Sequence, residues 1–197
     1  MKRGLYPAGA LLLVSMGTTF ALMALEGEWV QAIPLHLCSV SALFALALAF
    51  GAKSGVLLDF LWYLGVPGAA LALLFPAPAA SRLQPLLNAS YVITHALIIA
   101  VTLLCIRRGA RPARDGGARA MMLLQGAALC AFGVNRLLGT DFMFLSAPPA
   151  GTPLEIPFGW GYGAYIASLE LVMLGVCLLM GALMRAAQRI SPPRFDG

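Results

Sequence analysis

Charge is what this chain has least of. Only 11% of its 197 residues are Asp, Glu, Lys or Arg, against about 25% in an average soluble domain, while 60% are hydrophobic. A water-facing shell cannot be built from that composition, and a mean hydropathy of +0.87 says the same. Histidine is almost absent, with His36 and His95 alone. The four cysteines, Cys38, Cys105, Cys130 and Cys177, fall in separate apolar windows without C-x-x-C or zinc-type spacing. Three of them read as packing residues. Internal repeats, heptads, glycine-rich phosphate loops and low-complexity tracts are missing too, which leaves no soluble domain.

What the chain does have is long apolar windows, at roughly 7–25, 34–50, 57–75, 86–106, 120–138 and 160–184. At 1.5 Å per residue each can cross a hydrocarbon core of about 30 Å, the second near the short limit. They lack the period-2 alternation of a barrel, and in lipid the backbone must satisfy its own polar groups, so the spans are helices. The fold class expected is an all-α integral membrane protein, a bundle of about six transmembrane helices. One domain covers 1–190, and 191–197 is a short cytoplasmic tail. The Pro-rich stretches Pro76–Pro85 and Pro192–Pro193 read as loop and tail.

Cations set the orientation. Lys2, Arg3, Lys53, Arg107, Arg108, Arg111, Arg114, Arg119, Arg185, Arg189 and Arg194 lie on one side of a six-span arrangement, and only Arg82 and Arg136 on the other. The positive-inside rule places both termini in the cytoplasm. The net charge of +5 therefore mostly encodes topology. Nucleic acid is not an expected partner, since the basic loop 107–119 has no interleaved aromatics, although anionic headgroups are a plausible minor one. Lys2-Arg3 before an apolar run resembles a secretory signal, but no clean small-x-small site precedes Glu26, which favours a retained first helix.

Ionisable groups at membrane depth are costly and default to functional candidates: His36, His95, Arg136 and Glu170. A second span starting near Pro34, a good first-turn residue, puts Cys38 about 6 Å below that start. His95 falls at about 10–14 Å depth in the fourth span and Glu170 at about 15 Å in the sixth. Unpaired N–H groups in the first helical turns make a Cys38 thiolate easier to form than at mid-helix. His36 is a poor base for it, because residues i and i+2 point about 200° apart on a helix. His95, from another helix, is the better partner.

Each residue also has a plainer reading. Cys38 is equally a small hydrophobe, either histidine a hydrogen-bonded packing residue, Glu170 a neutral interhelical donor, and Arg136 a side chain snorkelling to headgroups. Trp62, Tyr63, Trp160, Tyr162 and Tyr165 read as interfacial anchors, and Met121, Met122, Met173 and Met180 as core fill. The outer loop Gly139–Gly159, with Thr140-Asp141-Phe142-Met143-Phe144-Leu145 and several prolines, is too apolar for a solvated linker and too Pro-rich for a span. It reads as an interfacial lid or re-entrant segment capping a cavity, or as a headgroup-level loop.

Several blocks together carry a likeness. Pro34-Leu-His-Leu-Cys-Ser39, Trp62-Tyr-Leu-Gly65 with Pro67-Gly68-Ala69, Thr94-His95, Asn135-Arg-Leu-Leu-Gly-Thr-Asp-Phe-Met-Phe-Leu145 and Leu169-Glu170 are similar to those of the YwaF-like family of multipass membrane proteins, which includes transmembrane protein 164. The first and fourth are fairly specific together. The resemblance implies a bundle related to intramembrane lipid hydrolases and transacylases, a family that usually has one further N-terminal helix beyond the six windows expected here. It implies Cys38 as nucleophile and His95 as its base, membrane lipids as partners and no cofactor.

The activity expected is acyl transfer or hydrolysis on a lipid ester. His36, Asn135, Arg136, Asp141 and Glu170 support or bind, with Glu170 or Asn135 orienting His95 or donating to the oxyanion and Arg136 holding a headgroup phosphate. The expected setting is a bacterial plasma membrane, and a homo-oligomer is possible. The rival reading is a transporter or small-molecule-binding bundle with Glu170 and His95 as a proton relay. A bis-histidine haem site on His36 and His95 is a third, disfavoured by their depth mismatch.

Overall fold

A computed structural model describes residues 5–75, 83–149 and 151–190. Lys2, Arg3, Arg82, Arg194, most of the Pro76–Pro85 stretch and the tail 191–197 lie outside the described residues. The described chain is helical throughout: α1 (Leu5–Leu25), α2 (Leu37–Ala49), α3 (Gly55–Leu74), α4 (Gln84–Arg107), α5 (Gly116–Leu138), the short α6 (Glu155–Gly159) and α7 (Tyr162–Ile190). Five of these are long and apolar enough to cross a membrane, and α2 is apolar but has only 13 residues.

At 1.5 Å per residue α2 is about 20 Å long, too short for the hydrocarbon core by itself. Its inner end is pinned low. A Cβ added at Gly9 of α1 would sit 2.8 Å from the Ala49 Cβ, and the rings of Tyr6 and Phe50 lie 6.2 Å apart. The outer end is completed by successive turns through Gln31, Ala32 and Ile33. The helix therefore begins at Leu37, with His36 at its N-cap, and Pro34 stands in the turn before it rather than in its first turn. Cys38 consequently lies in the first turn of α2.

α3 holds the centre. Ser54 caps it by accepting from the Leu57 N–H. Leu61–Gly65 then widens into a π turn, because Pro67 has no N–H to give the Tyr63 carbonyl and its ring would crowd that oxygen in regular helix. One face of α3 meets α1, α2 and α4 through Leu12, Ala42, Ala45, Leu61, Ile98 and Val101. Its other face meets α5 and α7 through Phe60, Tyr63, Leu64, Leu124 and Met180. Small residues let the backbones approach where hydrophobicity alone does not drive helices together. A hydroxyl cluster adds to this between α1 and α4. Ser15 lies 2.8 Å from Thr94, and Thr19 2.5 Å from Ser90.

Lys53, Arg107, Arg108, Arg111, Arg114, Arg119 and Arg185 all fall at the end of the bundle where α1 begins and α7 finishes, and Arg136 at the opposite end. The positive-inside rule makes the first end cytoplasmic. Two expected anchors are core residues: Tyr63 and Tyr165 are fully buried, each with its hydroxyl bonded to backbone carbonyls. Trp160 and Tyr162 are exposed, as anchors should be. Met122 and Cys130 point outward rather than into the core, while Cys105 and Cys177 are buried.

Candidate active site

Leu87, Asn88, Tyr91, Thr94 and His95 recur along one stripe of α4 and face a cavity of about 190 Å³. The facing walls are Met16, Thr19, Phe20 and Met23 of α1, the turn residues Ala32 and Pro34, and Cys38, Ser39 and Ala42 at the head of α2. Cys38 and His95 thus line one space, although they come from helices far apart in sequence. Among the described residues, none that lines this cavity is charged.

His95 is held in a defined state. Its Nδ1 lies 2.7 Å from the Tyr91 carbonyl oxygen, which can only accept, so Nδ1 carries the proton and Nε2 keeps a free lone pair. The Tyr91 ring lies against the imidazole, centroids 4.1 Å apart and planes tilted by 42°, and its own hydroxyl donates to the Ala72 carbonyl at 3.1 Å. The residue is 2% exposed, yet Nε2 has no hydrogen-bond partner, the Cys38 thiol included. A buried acceptor without a donor costs about 1–3 kcal/mol. Tyr91 carries no motif that singles it out, but it stands one turn before His95 on the same face.

The outer loop closes over the head of α2. Asn135 accepts from the Phe142 N–H at 2.8 Å and from the Thr140 hydroxyl at 2.9 Å, and donates to the Phe142 carbonyl at 3.1 Å. Asp141 accepts from the Ser146 and Ala147 N–H groups. Tyr165 donates to the Phe144 carbonyl. The loop is therefore ordered by Asn135 of α5, Tyr165 of α7 and its own Asp141, and His36 fastens it to α2 by accepting from the Met143 N–H at 3.3 Å.

A family model described as the TMEM164 family matches residues 3–181, nearly the whole chain. The chain belongs to the TMEM164 family. No curated protein and no solved structure matches it. The two blocks that carried the likeness to this family most specifically, 34–39 and 135–145, are the two segments that His36 joins.

The remaining candidates lie elsewhere. Glu170 of α7 takes both amide hydrogen bonds of Gln125 on α5, at 2.9 and 2.7 Å, and neither lines the cavity. Arg136 is exposed and sits over the Phe132 ring at 5.3 Å. Asn135 and Asp141 are committed to the loop and do not reach His95.

An ionisable residue not singled out in the sequence is Asp59, an acid in the third apolar window and 1% exposed. It accepts from the Ala113 N–H at 2.7 Å and lies 3.3 Å from Arg119. Its isolation in Leu57-Leu-Asp-Phe-Leu61 was the available signal.

Proposed function

We propose that the chain is an intramembrane acyltransferase or hydrolase acting on a lipid ester, with Cys38 as nucleophile and His95 as base. The observation that carries this reading is the His95 imidazole, fixed as the Nδ1–H tautomer with an unpartnered Nε2, in an uncharged cavity that also receives the Cys38 thiol.

His95 Nε2 takes the thiol proton as sulfur adds to the ester carbonyl. The C–O bond then breaks, the thioester remains on Cys38, and the alcohol leaves with the proton from His95. An incoming alcohol or water gives its proton to Nε2, attacks the thioester and returns the thiol. Burial makes a free thiolate costly, so a neighbouring neutral base matters more here than the helix terminus does. The hydrogen bond to Tyr91 supports the transient imidazolium and holds the ring in place. The uncharged, apolar walls suit the acyl chain and ester, and leave any charged headgroup outside the cavity.

The test is labelling in membranes with an activated acyl ester, read as hydroxylamine-sensitive adduct. Wild type is expected to label, Cys38→Ala not at all, and His95→Ala more slowly by about 100-fold or more. Equal labelling of all three would overturn the reading.

A further inference from the structure

A second cavity, of about 300 Å³, lies at the basic end of the bundle between the start of α5 and the last turns of α7. Arg114 and Arg185 line it near the helix ends, and Leu174 and Leu178 line it deeper along α7. Gly117 and Gly181 also line it, and both pack their backbone against the Tyr63 ring.

We propose that this cavity binds the phosphate headgroup of an anionic phospholipid of the cytoplasmic leaflet, with an acyl chain descending along α7. Guanidinium groups donate in a planar fork that matches phosphate oxygens, and Arg114 and Arg185 both line this space at the basic end of the bundle. Leu174 and Leu178 are 46% and 63% exposed, so they offer apolar surface that continues from the cavity into the lipid phase. A soluble phosphate compound would leave that surface unused.

The carboxylate of Asp115 also lines the space, but the Arg119 guanidinium, 2.8 Å away, already pairs with it and holds its carboxyl below the usual range. Tyr63 contributes its ring, since its hydroxyl is occupied by the Ala113 carbonyl. The basic leaflet face draws anionic lipid generally, and the cavity turns that attraction into a site.

The purified full chain in nanodiscs is exposed to phosphatidylglycerol or phosphatidylcholine, each with a diazirine on the acyl chain, and the cross-linked peptides are mapped. Adducts on the wild type are expected within 114–121 and 174–185, and at least about fivefold more with the anionic lipid. Arg114→Gln and Arg185→Gln should each lower that preference about fivefold, and Arg111→Gln, on the exposed loop, should not. Gly181→Leu, which puts a side chain into the space beside the Arg185 guanidinium, should abolish the adducts. Adducts spread equally over all helices, equal yields from the two lipids, or displacement by excess glycerol phosphate would each overturn the proposal. The wild-type map decides it even if a variant does not fold.

Discussion

His36 Nδ1 lies 3.3 Å from the Met143 amide nitrogen, tying the head of α2 to a loop 107 residues further along the chain. The imidazole stands between two rings, Phe142 at 5.2 Å and Phe144 at 5.9 Å. Met143 and Phe144 both adopt left-handed backbone, with φ of 60° and 54°, which costs a non-glycine residue about 1–2 kcal/mol each. Such a conformation persists only where surrounding contacts hold it. Here these are the bonds of Asn135, Tyr165 and His36. Cys38 is two residues from His36, so the same contact steadies the turn that carries the thiol.

Replacing His36 with Ala removes the acceptor for the Met143 N–H and both ring contacts. The loop should open locally by about 1–3 kcal/mol, because a formerly paired donor is left without a partner and the strained residues lose a support. Hydrogen exchange across 139–149 reads this directly, as faster exchange while the α3 core stays protected. Unchanged exchange at Met143 would show that the loop is held without His36.

Gly116 begins α5 against the centre of the bundle. A Cβ there would lie 2.7 Å from the Asp59 carboxyl and 2.8 Å from the Tyr63 ring, both in buried side chains with little room to move. Gly116→Ala should lower stability by about 1–3 kcal/mol. Gly126, in the same helix, meets nothing within 4 Å, and Gly126→Ala should be neutral or stabilising by up to about 1 kcal/mol. Thermal unfolding of the two purified variants should separate in opposite directions around the wild type.

The span windows were legible because lipid forces one solution on an apolar run, and all six reappear as helices with ends moved by a few residues. Helical facing set His36 aside as a base, but His36 is the extended N-cap of α2 rather than a helical residue. That Cys38 and His95 line one cavity was suggested by depth and by the family resemblance, not by facing. The start of α2 was not legible, because the turns through Gln31, Ala32 and Ile33 carry the chain past Pro34 before the helix begins, and a proline fits such a turn as well as a first helical turn. Nor were the duties of Asn135 and Asp141, whose partners are mostly backbone groups of the loop that follows α5. Tyr63 and Tyr165 look like anchors in sequence, since an aromatic near a span end reads the same whether its hydroxyl meets water or a buried carbonyl. Tyr91 was invisible for a related reason: its use of a main-chain oxygen to set the His95 tautomer leaves no side-chain motif.

Asp59 is a buried acid whose partners come from the loop before α5 and from its first turns. Asp59→Ala leaves the Ala113 N–H without its acceptor and Arg119 without one of its two carboxylates, and should cost about 2–4 kcal/mol. Arg119 is 35% exposed, and Arg119→Gln gives up its pairs with Asp59 and the exposed Asp115 but leaves the 2.7 Å bond from the Ala113 N–H to Asp59 in place, so it should cost less, about 1 kcal/mol. Melting of the two single variants and the double variant gives their coupling. If Arg119→Gln proved as damaging as Asp59→Ala, the Asp59 contact to the Ala113 amide would not be the main role of the carboxylate.

Glu170 separates the acyl-transfer reading from a proton relay. A relay needs an acid that gives and takes protons along a path shared with His95, whereas this carboxylate accepts both hydrogen bonds from Gln125 and lies outside the Cys38 cavity. Glu170→Gln removes the acid but keeps an oxygen that accepts from Gln125, so the α5–α7 contact should weaken by about 1 kcal/mol or less. Acyl labelling of Cys38 should proceed at the wild-type rate in that variant and fall only when His95 is replaced. A Glu170→Gln protein that folds normally but loses labelling as fully as His95→Ala would place the acid in the chemistry, and would return the pair to the relay that the cavity geometry disfavours.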